Sequence, residues 1–103
     1  LLATTDTIPG KTITQCFGLV RGNTIRGRHV GKDLLAALRN FVGGEIAEYT
    51  KLLGESREQA IDRMTEEAKR LGANAIVGVR FSTSEVATHA AEILAYGTAV
   101  LIE

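Results

Sequence analysis

The chain has no tryptophan, and only five of its 103 residues are aromatic, two Tyr and three Phe. Its core must therefore be built from Leu, Ile, Val and Ala. It has one cysteine, Cys16, so no intrachain disulfide can form and a reducing, cytoplasmic setting is expected. It has one proline, Pro9, and no excess charge: twelve basic residues balance twelve acidic ones. That balance argues against a nucleic-acid partner, which would favour a basic stripe. No apolar run approaches the ~20 residues that cross a bilayer, so no membrane partner is expected. The opening Leu-Leu-Ala-Thr-Thr-Asp has neither a basic region nor a long apolar one, and no signal peptide is read there.

What is present is an ordinary globular balance, 45% hydrophobic and 23% charged. The length suits one domain over residues 1–103, large enough to fold alone with little margin. Leu1 to Thr7 reads as a short strand, and Ile8-Pro9-Gly10-Lys11 as a turn. Thr12 to Ile25 is rich in β-branched residues and reads as a long strand. Gly18 and Gly22 mark it for a bulge, a bend or a close backbone approach. Leu34, Leu35, Leu38, Phe41 and Val42 fall at helical spacing from Asp33, and Gly43-Gly44 ends that helix. A second helix runs from Glu45. Ser56 with Gln59 resembles a capping box that would split it. The apolar stripe nevertheless keeps its phase across Gly54, and one helix to Leu71 is the preferred reading, stopped at Gly72.

Asn74 to Ser82 reads as a strand. Ala75, Val77, Val79 and Phe81 are expected on one side, with Ile76, Gly78, Arg80 and Ser82 on the other. Ser82 to Glu92 reads as a loop or ragged hairpin before a last strand, Ile93 to Ile102. The order β, β, α, α, β, β gives an α+β fold of two layers, an antiparallel sheet with helices on one face.

The last strand is apolar in both directions. Ile93, Ala95, Ala99 and Leu101 share one side; Leu94, Tyr96, Val100 and Ile102 share the other. Helices cover one face. Loops or the N-terminal strand could cover the second, but a second copy of the chain is the preferred cover. Leaving about five aliphatic side chains open would forgo on the order of 5–10 kcal/mol, against a domain stability of about 5–15 kcal/mol.

Chemistry is harder to find. Cys16 lies in a strand without a nearby cation and reads first as a small buried residue. With His29 and His89 it makes three potential ligands for a metal ion, but the spacings of 13 and 60 residues hold no local pair. Arg26, Arg28, His29 and Lys32 form a basic run just before a helix, where a small anionic ligand could bind, though no phosphate-loop pattern is present. The acids Glu45, Glu48, Glu55, Glu58, Asp62, Glu66 and Glu67 alternate with bases and read as a solvated helix face. No carboxylate pair or serine elbow names a reaction. A non-enzymatic protein without an organic cofactor is expected.

Several short pieces, in order, resemble a known group. They are Thr4-Thr5, Ile13-Thr14 leading to Cys16 and Gly18, Val20-x-Gly22, Val42-Gly43-Gly44 followed by Tyr49, Leu71-Gly72-Ala73-Asn74-Ala75 with Val77-Gly78, and Gly97-Thr98-Ala99-Val100. Across nearly its full length the chain resembles the YbjQ-like family of small bacterial and archaeal proteins, labelled "putative heavy-metal-binding". The resemblance implies a dodecin-like subunit and a ring-shaped homo-oligomer, commonly a pentamer. The label implies a metal, yet the paired-cysteine loop of small metal chaperones is missing here.

Overall fold

A computed structural model describes residues 1–26, 47–87 and 90–103. Among these residues there are three strands and one helix: β1 (Ile13–Arg26), α1 (Ala47–Leu71), β2 (Ala75–Ala87) and β3 (Ala90–Ile102). The sheet order is β1-β3-β2, with both pairs antiparallel. The α+β class and the antiparallel sheet agree with the sequence reading. The expected helix from Asp33 to Val42 lies outside the described residues.

β1 carries both glycine devices. The register with β3 shifts between Cys16 and Gly18, where Gly18 takes a φ of 98°. This is a bulge. Gly22 serves close approach instead. A methyl group there would lie 2.2 Å from the Ala60 carbonyl oxygen and 2.3 Å from the Met64 nitrogen. The α1 backbone therefore rests directly on β1.

α1 runs unbroken through Gly54. Ser56 is no cap. It is buried, and its carbonyl accepts a bond from the Thr24 hydroxyl at 3.1 Å. The inward face reads Leu53, Ser56, Ala60, Met64, Ala68, which explains why the stripe keeps phase past Gly54. The helix ends as expected. Gly72 has a φ of 93°, its N–H bonds the Lys69 carbonyl at 3.0 Å, and the Ala73 N–H bonds that of Ala68 at 3.1 Å. These two bonds make a Schellman motif.

Small residues let helix and sheet approach. Val20, Ala60, Met64, Ala68, Ile76, Val79, Ile93, Ala95 and Ala99 form the main core between α1 and the sheet.

Two expectations need correction and a third is narrowed. Leu1 to Thr7 is not a full strand: it makes one isolated parallel bridge, Leu2 to Ile76. Its backbone still lines the outer edge of β2, bonding Ile76, Gly78 and Val79 at 2.8–3.0 Å. The simple alternation expected along β2 also fails. Gly78, at φ 61°, sits in a register shift between Val77 and Arg80. The inserted residue moves Val79 into the core beside Ile76, while Ala75 and Val77 belong to the opposite face. Finally, of the loop or ragged hairpin expected from Ser82 to Glu92, the hairpin forms, with a register shift between Glu85 and Ala87, and it is longer than a loop reading allows. β2 and β3 stay paired as far as Ala87 and Ala90. Polar residues extend the hairpin because neither side of that stretch needs to be dry.

Candidate functional site

Most residues singled out for chemistry are not among those described. Arg28, His29, Lys32 and His89 lie outside them. Arg26 is the last residue of β1, opposite Ala91. The proposed metal trio thus has one described member, Cys16. It sits opposite Val100, and it is a free, exposed thiol. This corrects the buried role expected for it: β1 is an edge strand, and no described element shields the thiol. Among the described residues, no three His, Cys, Asp or Glu side chains cluster as a metal site.

The surfaces of the sheet are more informative. On the face away from α1, the strands present residues in rows. Leu19 and Val77 flank Thr98; Arg21 and Arg80 flank Tyr96; Asn23 and Ser82 flank Leu94; Ile25 and Ser84 flank Glu92. One end of this face is closed by the chain itself. Ile8, carried on the Pro9-Gly10 turn, packs with Ile13 and Ile102 against buried Ala75, Val77 and Val100. The turn is the one expected: the Lys11 N–H bonds the Ile8 carbonyl at 3.1 Å, and Gly10 has a φ of 78°.

Beyond Ile8 the face is open among the described residues. Leu19 is 66% exposed and Ile25 57%, and Leu94 and Tyr96 are only half-buried. Among the described residues, the second side of β3 is therefore covered by the N-terminal segment at one end and open at the other. Cations frame the open part. Arg21 is exposed, and among the described residues the Arg80 guanidinium bonds two carbonyls, Thr4 at 2.8 Å and Val79 at 2.9 Å. The Glu92 carboxylate, two rows farther along the same face, accepts a bond from Asn23 at 3.0 Å.

A second open surface lies on the helix side. Among the described residues, α1 packs mainly over β1 and β3 and only lightly on β2. A groove there is lined by Lys51, Glu55, Glu58, Ile61, Asp62 and Phe81. Phe81 is 47% exposed.

The sheet edges are partly closed. The N-terminal segment occupies the β2 edge from Ile76 to Val79. On the β1 edge, a Glu67 carboxylate oxygen accepts the Arg21 N–H at 3.3 Å, and Arg63 donates to the Asn23 carbonyl. Helix side chains thus fill ladder positions that another strand would use. Residue-by-residue reading of the sequence placed Glu67 on a solvated face; only the crossing of α1 over β1 reveals this contact.

A long helix on one side of a three-stranded antiparallel sheet defines a small α+β class shared with a solved structure. A protein of unknown function from Pediococcus pentosaceus, of the DUF74 family, superposes with a TM-score of 0.64 over 100% of this chain and 97% of its own, at 17% identity. That likeness concerns the fold. Sequence relatives are far nearer: UPF0145 proteins of Methanosarcina acetivorans, 59% identical over 99% of this chain and 96% of that one, and of Dehalococcoides mccartyi, 57% identical over 100% and 99%. The chain belongs to the YbjQ family, whose description, "Putative heavy-metal-binding", matches residues 1–103.

Proposed function

We propose that this chain is a subunit of a cytoplasmic, ring-shaped homo-oligomer, dodecin-like and closing as a pentamer, that acts as a binding or scaffold module and not as an enzyme. The observation that supports this is the open half of the far face. Leu19 and Ile25 stand in solvent beside half-covered Leu94 and Tyr96. A contiguous apolar patch of this kind on a small domain marks an interaction surface. Covering Leu19 and Ile25 would contribute about 1.5–3 kcal/mol each. The module's ligand is a small anion, held by the cationic run Arg26, Arg28, His29 and Lys32. Light scattering over a dilution series tests the association. The wild-type mass should be a multiple of the 11.0 kDa chain, and Leu19→Asp should reduce it to one chain. A wild type that runs as a single chain at every concentration overturns the proposal.

A second reading has one observation in its favour. Cys16 is exposed and free, as a thiolate ligand for a soft metal ion must be. In this reading Cys16, His29 and His89 bind a heavy metal, with ligands drawn from neighbouring subunits. Metal analysis of purified protein separates the two. Stoichiometric metal that is lost in Cys16→Ala or His29→Ala supports the second reading; absence of bound metal after loading with zinc or copper excludes it.

A further inference from the structure

Residues 1–8 lie along the outer edge of β2, held there almost entirely by main chain. None of residues 1–7 is buried, and Ile8 is half-buried. We infer that this edge of β2 is a docking site for an extended segment of another protein, and that residues 1–8 fill it in cis as a detachable strap. The inference goes beyond the assembly proposed above and does not depend on it.

The edge has an unusual supply of donors. Between Val77 and Arg80 the pairing with β3 shifts, and Gly78 takes a φ of 61°. A bulge breaks the regular ladder of a strand. Here the Gly78 and Val79 N–H groups both turn outward, to the Thr5 carbonyl at 2.9 Å and the Ala3 carbonyl at 3.0 Å. Arg80 donates to the carbonyl between them, that of Thr4, at 2.8 Å. Farther along, the Ile76 N–H donates to the Leu1 carbonyl at 2.8 Å, and the Ile76 carbonyl accepts the Ala3 N–H at 2.9 Å. All these bonds read the main chain of the strap, whatever its side chains. The strap's contribution to the core clusters is Ile8, against Ala75, Val77 and Val100. Strand addition works in this way: backbone bonds give affinity, and a side-chain pocket gives selectivity. The partner that fits is an extended peptide with an aliphatic residue in the place of Ile8, five positions after the residue that takes the place of Ala3.

The strap also has a hinge. It ends at the Pro9-Gly10 turn, where Gly10 has a φ of 78° and open space around it. Two residues on, Thr12 and Glu103 exchange both N–H to carbonyl bonds at 3.0 Å, so the β1–β3 ladder starts without the strap. The core beneath α1 draws on no strap residue. Detachment therefore leaves helix and sheet packed, and it uncovers the edge N–H groups together with Ala75, Val77 and Val100. Segments with few buried contacts open in this local way, at a lower free energy than global unfolding.

Two measurements on the full-length chain test this. In native-state hydrogen exchange, the amides of Ala3, Ile76, Gly78 and Val79 should exchange at a common rate, at least about a hundredfold faster than Met64 in mid-helix. Protection equal to that of Met64 would make residues 1–8 a permanent edge strand and overturn the inference. The second measurement titrates the isotope-labelled chain with a synthetic peptide of the sequence of residues 1–10, read by NMR. The Ile76, Gly78 and Val79 amides should shift saturably, and a peptide carrying Ile8→Ser should bind about tenfold more weakly. Gly10→Ala in the chain strains the closed hinge and should raise apparent affinity about fivefold, because apparent affinity scales with the open fraction. Ile8→Ser in the chain is a second loosening variant and should act in the same direction, with circular dichroism checking that both variants fold. Absence of saturable shifts at those amides in wild type and folded variants overturns the inference, as does binding that neither variant tightens. Light scattering of the same samples reports self-association separately, so a failure here leaves that reading untouched.

Discussion

Gly22 is the residue on which the packing turns. The helix backbone passes so near that a methyl group at this position would fall within 2.2 Å of one helix carbonyl oxygen. Backbone cannot yield as a flexible side chain can. Gly22→Ala should therefore lower stability by about 3 kcal/mol, at the upper end of overpacking costs, seen as a marked fall in the urea midpoint. An unchanged midpoint would mean that α1 does not rest on β1. Cys16 makes the complementary case. Its neighbours in sequence gave no sign of exposure, since a β-rich stretch leaves the facing of an edge-strand residue undetermined until the sheet order is known. As an exposed thiol, it should react with a disulfide reagent in the native protein to one equivalent per chain, without denaturant. A thiol that titrates only after unfolding would contradict that placement.

At the scale of the element, α1 contains an interior glycine with open space around it. Nothing lies within 4 Å of where a side chain would begin on Gly54. Gly54→Ala should stabilise the protein by about 1 kcal/mol, read as a rise in the thermal midpoint. Gly72→Ala should do the reverse by a similar amount, because its φ of 93° suits glycine in the C′ position. Both glycines were legible in the sequence for the same reason: each acts through local backbone rules. β1, the long helix, its stop and the Pro9-Gly10 turn were likewise readable from spacing and turn residues. The β2 alternation was not. Whether Gly78 adds a bulge depends on its pairing with β3, a long-range fact that no window of neighbouring residues contains. The hairpin's reach to Ala87 and Ala90 was left undecided between loop and ragged hairpin because polar, exposed strands carry the same residues as loops. The edge guard on β1 was invisible too. Glu67→Ala would free the Arg21 N–H, and Arg63→Ala the Asn23 carbonyl. The double variant should aggregate at lower concentration than wild type, measured by turbidity on warming, through newly available strand edge.

For the whole molecule, the sequence argument from the last strand survives in altered form. β3 does place apolar side chains on both faces, and one helix does cover a single face. The second face is shared, however. The chain's own Ile8 roofs Ala75, Val77 and Val100, and among the described residues the remainder is left open around Leu19, Ile25, Leu94 and Tyr96. The roof could not be foreseen because Ile8 lies on a turn, and its destination depends on where the N-terminal segment docks along β2. The basic run and the histidines fall mainly outside the described residues, which leaves Cys16 as the described member of the metal trio, so the surfaces carry the functional reading. That reading makes association a property of the native fold. Light scattering of the wild-type chain from micromolar to high concentration tests it most directly: a stable mass several times 11.0 kDa is predicted, and a lone chain throughout the series would contradict it.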